Sequence, residues 1–306
     1  MTSKGPLTGT VFLGINNIYT VKTERGVFEC RIKGKVLKGE KVYNPIAVGD
    51  RVAVEPDANH QGKGMVTERC ERDNVFSRLN KKRKAPQVIL SNADVLACVT
   101  SAASPPFRPR FLDRVLVASA IGDMHPVIIV NKSDLGIDDD ARERISAYED
   151  LGYRVFTVSA ASGHGIPELK ESMKNQIWGF VGQSGVGKSS LLNALSPDLG
   201  LETGMLSKKY DRGSHTTCYA VMLEREEFTV IDTPGIREID ICGIEAMDLG
   251  HYFREFEPFL NDCGFSPCLH DHEPGCRVKK AVEEGVIHPD RYESYLRTLQ
   301  QLKEMT

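Results

Sequence analysis

The chain has 306 residues, of which 41% are hydrophobic and 26% are charged. This composition is typical of a folded protein with two or three domains, and it excludes a chain that is disordered throughout. Even the aliphatic run at residues 127–130 is far shorter than the roughly 20 apolar residues of a membrane span. The first residues show no signal-peptide pattern. We therefore expect a cytoplasmic protein that does not bind membranes.

Charge is unevenly distributed along the chain. Residues 1–90 contain 17 Lys and Arg against 9 Asp and Glu, whereas residues 91–306 contain 22 against 33. A basic segment at the front of an acidic chain favours contact with a polyanion such as a nucleic acid. A solvated charged surface explains the same pattern, so composition leaves both interpretations open.

The first predicted elements are short strands separated by turns. Strands are expected at residues 9–15, 18–22, 26–31 and 50–55, because β-branched and aromatic residues cluster or alternate there. Four or five short strands predict a small barrel over residues 1–75, either of the oligonucleotide/oligosaccharide-binding (OB) type or of the SH3-like type. Four basic residues of this region are candidate phosphate contacts: Lys33, Lys35, Lys38 and Lys41.

After the barrel the pattern changes twice. Residues 76–90 contain a basic run that ends at Pro86, which we interpret as a basic linker, either a solvated tether or an RNA-contacting arm. Residues 91–240 then alternate between strands and helices, which predicts an α/β domain with a mostly parallel sheet covered on both faces. Strands are expected at 94–100, 127–130, 154–159, 177–181, 217–224 and 228–232, and helices at 109–121, 139–151, 166–173 and 187–195.

A phosphate-binding loop lies in this α/β domain. The segment GQSGVGKS fits the pattern GxxxxGKS, and it stands between an apolar strand and a helix, as the motif requires. Its backbone N–H groups and the helix N-terminus would hold phosphate oxygens. Lys188 would reach the β- and γ-phosphates, and the Ser189 hydroxyl would bind Mg²⁺. The residues predicted to contact the nucleotide here are Gly182, Gln183, Ser184, Gly185, Val186, Gly187, Lys188, Ser189 and Ser190.

Two further segments predict which base is bound. Asn131-Lys132-Ser133-Asp134 follows the buried strand at 127–130. The Asp134 carboxylate can accept hydrogen bonds from N1 and N2 of guanine, which adenine cannot supply, while Asn131 can bond the O6/N7 edge and Lys132 can pack on the ring. Ser159-Ala160 follows the next strand, where a backbone N–H can meet O6. These segments favour guanine over adenine.

The remaining candidate residues concern Mg²⁺ and hydrolysis. Asp232 ends a strand and is expected to hold Mg²⁺ through water, and the N–H of Gly235 can sense the γ-phosphate. The segment at 213–217 is expected to supply a magnesium threonine, Thr217 or its neighbour Thr216. We therefore predict a catalytic set of His215, Thr216, Thr217, Lys188 and Asp232.

His215 is the candidate that orients the attacking water. Many GTPases place a glutamine directly after the magnesium aspartate motif, but here that position is Ile236, which cannot hold water. The imidazole of His215, beside the expected magnesium threonine, can accept a hydrogen bond from water. Packing or partner contact is the alternative role of His215. Such an enzyme would hydrolyse its nucleotide slowly on its own, and a partner would be needed to complete its catalytic site.

Residues 241–306 are expected to form a mainly helical domain that holds a metal. Three cysteines and two histidines lie close together in this part of the chain. Three thiolates and one imidazole are the ligand set of a closed structural zinc site. The ligands would be Cys263, Cys268 and Cys276 with either His270 or His272. Unligated core cysteines are the alternative interpretation. A helix is expected at residues 288–303.

The order of these motifs is unusual. The guanine segments precede the phosphate loop in the chain, whereas the opposite order is usual, so we predict a circular permutation, which domains tolerate because their termini lie at the surface. With a barrel before it and a Cys/His segment after it, the chain resembles the circularly permuted small-subunit biogenesis GTPases of the RsgA (YjeQ) family over nearly its whole length. The family pattern matches His270 as the fourth zinc ligand and supports the catalytic role of His215.

This resemblance implies a multidomain protein with an N-terminal all-β OB-type barrel, a central permuted P-loop GTPase domain and a C-terminal zinc domain. It also implies a monomer that hydrolyses GTP to GDP with Mg²⁺, stimulated by the 30S ribosomal subunit and its 16S rRNA during late maturation. Two alternatives are a nucleotide-dependent RNA- or protein-binding switch with incidental hydrolysis, and a GTPase of metal trafficking. Because the segment at Gly235 runs into the zinc domain, we also expect the γ-phosphate to reorient that domain.

Overall fold

The N-terminal part of the protein is a closed barrel of five strands. The computed structural model describes residues 6–33, 42–199, 201 and 219–305. The barrel strands are β1 (Leu7–Ile15), β2 (Ile18–Thr23), β3 (Gly26–Ile32), β4 (Arg51–Pro56) and β5 (Lys63–Arg69). Strand β1 pairs with both β2 and β4, while β3 pairs with β5 in parallel. Alternate side chains, such as Val11, Val21 and Val52, fill the interior. This arrangement confirms the predicted barrel.

A two-stranded hairpin occupies the segment that we interpreted as a linker. Strands β6 (Val75–Asn80) and β7 (Ala85–Ser91) pair antiparallel across a turn of basic residues. The Asn80 side chain accepts a hydrogen bond of 3.1 Å from the backbone N–H of Arg83, which stabilises the turn. Phe76 and Leu90 are buried in the core of the neighbouring domain. Residues 76–90 therefore connect the domains as an ordered hairpin rather than as a tether.

The central domain is a mostly parallel sheet. Its strands are β8 (Val95–Ser101), β9 (Pro126–Asn131), β10 (Arg154–Thr157), β11 (Ile177–Gly182), β12 (Val221–Glu224) and β13 (Thr229–Asp232). The order is β10-β9-β8-β11-β13 with parallel pairing, followed by antiparallel β12. Its helices are α1 (Pro109–Ile121), α2 (Asp139–Asp150), α3 (Ile166–Ser172) and α4 (Lys188–Leu195). Every residue of β8 and β9 is buried, as expected when helices cover both faces.

The barrel is joined to the central domain at two places. Strand β1 pairs with β12 at Leu13 and Val221, so that one sheet of eleven strands runs through both domains. The fully buried Asp50 accepts hydrogen bonds from Arg72 at 2.7 and 2.8 Å and from the Ser91 hydroxyl at 2.6 Å. Because this carboxylate binds the hairpin and its flanking segment, the barrel has a fixed place against the central domain.

The C-terminal region packs on α1 and α2. It contains two 3₁₀ segments (Ala246–Tyr252 and Arg254–Asp262), α5 (Arg277–Glu283) and α6 (Pro289–Lys303). The first part was expected to be helical; Pro258, which lies inside the second segment, disfavours a regular α-helix there. Helix α6 buries Tyr295, Leu299 and Leu302 along one face. Among the described residues, no helix has the length and apolar character that crossing a membrane requires.

Buried charges connect this region to the central domain. Asp113 of α1 accepts hydrogen bonds from Arg291 of α6 at 2.7 Å and from Tyr148 of α2 at 2.6 Å. Arg291 also binds both carboxylate oxygens of Glu255, at 2.6 and 2.9 Å. Although burial disfavours the charge of Arg291, the two carboxylates hold its pKa well above the ordinary value. Reorienting the whole C-terminal region would break the buried ion pair between Asp113 and Arg291, which is unfavourable.

Candidate functional site

The phosphate loop curls between β11 and α4. Gly185 and Gly187 have φ angles of +84° and +86°, which glycine adopts without strain. A Cβ atom at Gly187 would lie 2.5 Å from Nδ2 of Asn131, and one at Gly182 would lie 2.5 Å from the carbonyl oxygen of Val99. Helix α4 begins at Lys188 directly after the loop. The loop therefore has the tight turn and the helix N-terminus that hold an anion.

Lys188 and Asp232 face each other beside this loop. Lys188 is only 7% exposed, and its ammonium group donates hydrogen bonds to the Asp232 carboxylate and to the carbonyl oxygen of Thr233. Burial raises the pKa of the Asp232 carboxyl, and the adjacent ammonium opposes this rise. The site thus combines a buried cation suited to phosphate with a buried carboxylate suited to a hydrated metal ion.

The segment after Asp232 lies against the phosphate loop. The backbone N–H of Ile236 donates to the carbonyl oxygen of Gly182 at 3.0 Å, and a Cβ at Gly235 would lie 3.0 Å from the backbone nitrogen of Ser184. The Gln183 side chain donates to the carbonyl oxygen of Arg237 at 3.4 Å. Only a glycine fits at position 235 without a shift, because the segment lies directly against the phosphate loop.

Asn131 has contacts that the sequence did not reveal. Its Nδ2 donates to the carbonyl oxygens of Val186 and Gly187 at 3.0 and 3.3 Å, and its Oδ1 accepts the N–H of Ala160 at 3.1 Å. The sequence predicts that this side chain meets the guanine edge, and that remains a prediction. In the structure its amide joins the phosphate loop to the loop after β10. The only sequence signal for this second role is the position of an amide at the end of a fully buried strand.

The other residues of the predicted guanine segment lie at the same edge of the sheet. Lys132, in the left-handed conformation with φ +63°, donates from Nζ to the carbonyl oxygens of Gly185, at 2.7 Å, and Ser104. The Asp134 carboxylate accepts a hydrogen bond from the Ser159 hydroxyl. The neighbouring Ser133 N–H donates to Val158 at 3.1 Å. The segments at 131–134, 159–160 and 182–190 are therefore brought together, as carboxyl ends of parallel strands are.

The remaining predicted site residues differ in whether and where the structure describes them. Ser189 and Ser190 lie half-buried in the first turn of α4. His215, Thr216 and Thr217 lie outside the described residues. The same holds for Lys35, Lys38 and Lys41, while Lys33 forms an exposed ion pair with Glu55.

A cluster of sulfur and nitrogen atoms lies in the C-terminal region. The ligand atoms of Cys263, Cys268, His270 and Cys276 all lie within 4.8 Å of one another. Nδ1 of His270 is 3.4 Å from the Cys276 sulfur and 3.6 Å from the Cys263 sulfur. His272, the other predicted ligand, is 78% exposed. The four clustered residues could hold a metal ion, and His270 is the imidazole among them.

The surroundings of the cluster fix its loops. The Tyr292 and Tyr295 hydroxyls donate to the carbonyl oxygens of His270 and Leu269, both at 2.7 Å. Burial first, and then the nearby Cys276, raise the pKa of the Cys268 thiol to about 12. A thiol with such a pKa is protonated at neutral pH, so a metal ion that binds it must displace its proton.

The fold and the site define a circularly permuted GTPase. The base segments at 131–134 and 159–160 precede the phosphate loop at 182–190 in the chain, and all three meet at one edge of one sheet. The family model "RsgA GTPase" matches residues 69–242, and "RsgA N-terminal domain" matches residues 8–65. The "Small ribosomal subunit biogenesis GTPase RsgA" of Borrelia recurrentis (strain A1) is 42% identical over 299 residues, which cover 97% of this chain and 95% of that protein. Its namesake in Flavobacterium psychrophilum is 38% identical, with 96% and 93% covered. The chain belongs to the RsgA GTPase family.

Solved structures agree with this assignment. The crystal structure of YjeQ from Thermotoga maritima is 34% identical to this chain, with a TM-score of 0.72 over 97% of this chain and 98% of that one. The structure of YloQ, described as a circularly permuted GTPase, is 29% identical, with a TM-score of 0.69 over 98% and 96%. The OB-type barrel and the permuted domain are thus common to the three chains.

Proposed function

We propose that this GTPase acts in the biogenesis of the small ribosomal subunit, late in its maturation, and that the subunit stimulates its GTP hydrolysis. The observation that carries the proposal is the direct link between base and phosphate segments, in which Asn131 and Lys132 bind carbonyl oxygens of the phosphate loop. A guanine held at Asp134 would place its triphosphate on the loop at Lys188. The names of the relatives supply the ribosomal context.

Each predicted nucleotide contact can then be assigned to a residue of this chain. Asp134 would bind guanine N1 and N2, the Ala160 N–H would meet O6, and the loop at 182–190 would hold the phosphates. Mg²⁺, which neutralises phosphate charge during hydrolysis, fits the hydroxyl of Ser189 and the buried carboxylate of Asp232, with Thr217 as a further ligand. The Gly235 N–H would meet the γ-phosphate.

The role of Asp134 is tested by a change of base preference. Asp134→Asn is expected to weaken GTP binding about tenfold to a hundredfold, since a bidentate pair to a base contributes about 1–3 kcal/mol. The same variant should bind xanthosine triphosphate more tightly, because its amide N–H can donate to the carbonyl that replaces the 2-amino group. Fluorescence titration gives both Kd values. Asp139→Asn, at an exposed position of α2, is the control; equal GTP affinities in both variants would contradict the assignment.

Hydrolysis is tested with ribosomal particles. We expect isolated 30S subunits to raise kcat for GTP hydrolysis, and 50S subunits to leave it unchanged. We propose His215 as the group that orients the attacking water, so His215→Ala should lower the 30S-stimulated kcat by about 10²-fold while the Kd of GTP stays within twofold. Single-turnover assays on the three particles, 30S, 50S and 70S, measure the effect.

The same assay separates the proposal from its rival. A nucleotide-dependent switch with incidental hydrolysis would bind the 30S subunit without any acceleration of hydrolysis. An unchanged stimulated kcat in His215→Ala would assign water orientation to another group while leaving the ribosomal role intact.

We propose that the Cys/His cluster holds one structural Zn²⁺. Zn–S and Zn–N bonds of about 2.3 and 2.0–2.1 Å in a tetrahedron place sulfur and nitrogen about 3.6 Å apart, and the separations from His270 Nδ1 are 3.4 and 3.6 Å. Four protein ligands leave no position for water, which fits a structural ion. A metal-trafficking role would require easy release, which a closed site opposes.

Metal removal is expected to unfold the module. Because the Cys268 pKa of about 12 means that zinc must displace protons, zinc affinity should fall as the pH is lowered. Cys276→Ser should lose the zinc and the packing of α5 on the segment Arg254–Asp262, as measured by metal analysis and hydrogen exchange. Cys70→Ser, at a cysteine outside the cluster, is the control. Folded wild-type protein without zinc would contradict this assignment.

The ribosomal role implies further partners and a location. We propose that the OB-type barrel contacts 16S rRNA, with Lys33 among its exposed cations, and that binding weakens as salt rises. Ribosome assembly would place the protein in the cytoplasm. One chain supplies both the base segments at 131–134 and 159–160 and the phosphate loop at 182–190, so we propose a monomer.

A further inference from the structure

A cavity of about 700 Å³ lies beside the phosphate loop. Its walls come from the start of α1, the segment after Gly235, the turn of the β6–β7 hairpin and the start of α6. Among the described residues of the predicted nucleotide site, Gln183 alone lines it. This volume falls within the range of pockets that hold a small organic group, yet the cavity is separate from the guanine segments at 131–134 and 159–160.

Most cations around this cavity already have carboxylate partners. Lys81 lies 3.0 Å from Asp240 and 3.2 Å from Glu238, and Arg114 lies 3.3 Å from Asp240. Arg110 binds Glu293, outside the cavity, at 2.7 Å. The lining contains five basic and three acidic residues, so its net charge is positive.

Two arginines of the lining have no such partner. Within the described part of the chain, the side chains of Arg108 and Arg237 form no ion pair or hydrogen bond, and both residues are exposed. They approach the cavity from different walls, Arg108 from the residue before α1 and Arg237 from the segment that follows Gly235. Two guanidinium groups without partners, from different walls of one cavity, suit a phosphate group, which guanidinium groups can bind bidentately.

The cavity also has an aromatic wall. Phe107 and Phe111 line it, are half-buried, and pack on their other side against the hydrophobic core. Proteins that recognise single-stranded RNA stack unpaired bases on aromatic or arginine side chains and bind the adjacent phosphates with cations. An unpaired base needs the aromatic side chains and its phosphate needs the cations, and this cavity has both.

The charge outside the cavity favours a polymer over a mononucleotide. From Lys81 the hairpin turn continues with Lys82, Arg83 and Lys84, all exposed. This positive surface extends beyond the cavity, although residues 91–306 are acidic as a whole. A chain of phosphates would follow such a surface, whereas a single nucleotide would use only its first part.

We propose that this cavity binds one unpaired nucleotide of small-subunit rRNA, with its base against Phe107 and Phe111 and its phosphate between Arg108 and Arg237. The identity of the RNA rests on the proposed function. Arg237 stands two residues after Gly235, and its carbonyl oxygen accepts a hydrogen bond from Gln183 of the phosphate loop. RNA in the cavity therefore touches the segment that faces the γ-phosphate.

The test compares charge reversals in the full-length protein. The double variant Arg108→Glu with Arg237→Glu is expected to bind purified small ribosomal subunits at least about tenfold more weakly in the presence of a non-hydrolysable GTP analogue. The magnitude of the slope of log Kd against log salt should fall by about one, because one phosphate loses its contacts. The control is Arg142→Glu, at an arginine of α2 that is 68% exposed. In free protein, Arg108→Glu should leave GTP affinity unchanged.

A crosslink identifies the occupant. With p-benzoylphenylalanine in place of Phe107, irradiation of the complex should give a product that ribonuclease shortens. A crosslink to a ribosomal protein would overturn the inference in favour of an acidic protein segment. Wild-type affinity and salt slope in the double variant would overturn it as well, while 30S-stimulated hydrolysis by the wild type would leave the proposed function standing. If the wild type bound no small subunits, the proposed function and the inference would fail together.

Discussion

Replacing Lys188 by alanine is expected to lower the rate of GTP hydrolysis about 10²- to 10³-fold. We propose Lys188 as the cation that the phosphate loop directs at the β- and γ-phosphates. It lies in a buried site where a charge acts strongly on developing negative charge. Its loss also leaves the Asp232 carboxylate without its cation. Burial already raises the pKa of Asp232, so this carboxyl would take up a proton more readily and hold Mg²⁺ less well.

The measurement is single-turnover hydrolysis with saturating 30S subunits, together with the Kd of GTP. Lys170→Ala is the matched control. The Lys170 side chain of α3 is 43% exposed and pairs with Glu227 at 3.0 Å, and far weaker effects are expected there. A Lys188→Ala enzyme with near-normal kcat would show that the phosphate loop is not the catalytic centre.

The largest effect on stability is expected for Arg291→Met. This change leaves the carboxylates of Asp113 and Glu255 buried without their common cation. Removing one partner of a buried ion pair costs about 3–5 kcal/mol of the free energy of unfolding. The loss should appear as a lower urea midpoint in the fluorescence of Trp178, which is the only tryptophan and lies buried in β11.

Arg297→Met on the same helix is the matched control. Arg297 is 55% exposed, and its pair with Glu293 at 2.8 Å is a surface contact that contributes little. The control variant should therefore unfold within about 0.5 kcal/mol of the wild type. Equal midpoints for the two variants would mean that the buried charges do not hold the C-terminal region on α1.

The nucleotide motifs could be predicted because each is local in the chain. The loop at 182–189 combines its glycines, its lysine and its flanking strand and helix within about 20 residues, and strand–helix alternation predicted which edge of the sheet it occupies. Cysteine spacing predicted the metal cluster for the same reason. The choice of His270 over His272 required the resemblance, because spacing permits either residue and only the tertiary arrangement separates them.

What the sequence did not predict depends on contacts between distant residues. Asn131 bonds to residues 55 and 56 positions away, and the Asp113–Arg291 pair spans 178 positions; no local pattern encodes such partners. The hairpin at 76–90 was missed for a different reason. Its basic turn and Pro86 looked like a tether, and its pairing is stabilised by packing of Phe76 and Leu90 on another domain.

The pairing of β1 with β12 also affects how the domains behave when separated. Strand β12 borders the parallel sheet, and the barrel occupies its outer side through the contact of Leu13 with Val221. An uncovered strand of this kind offers unpaired amide and carbonyl groups to other chains. Cutting the barrel away would expose them, so a truncated GTPase domain would aggregate more readily than the whole chain. The barrel therefore protects the solubility of its neighbour.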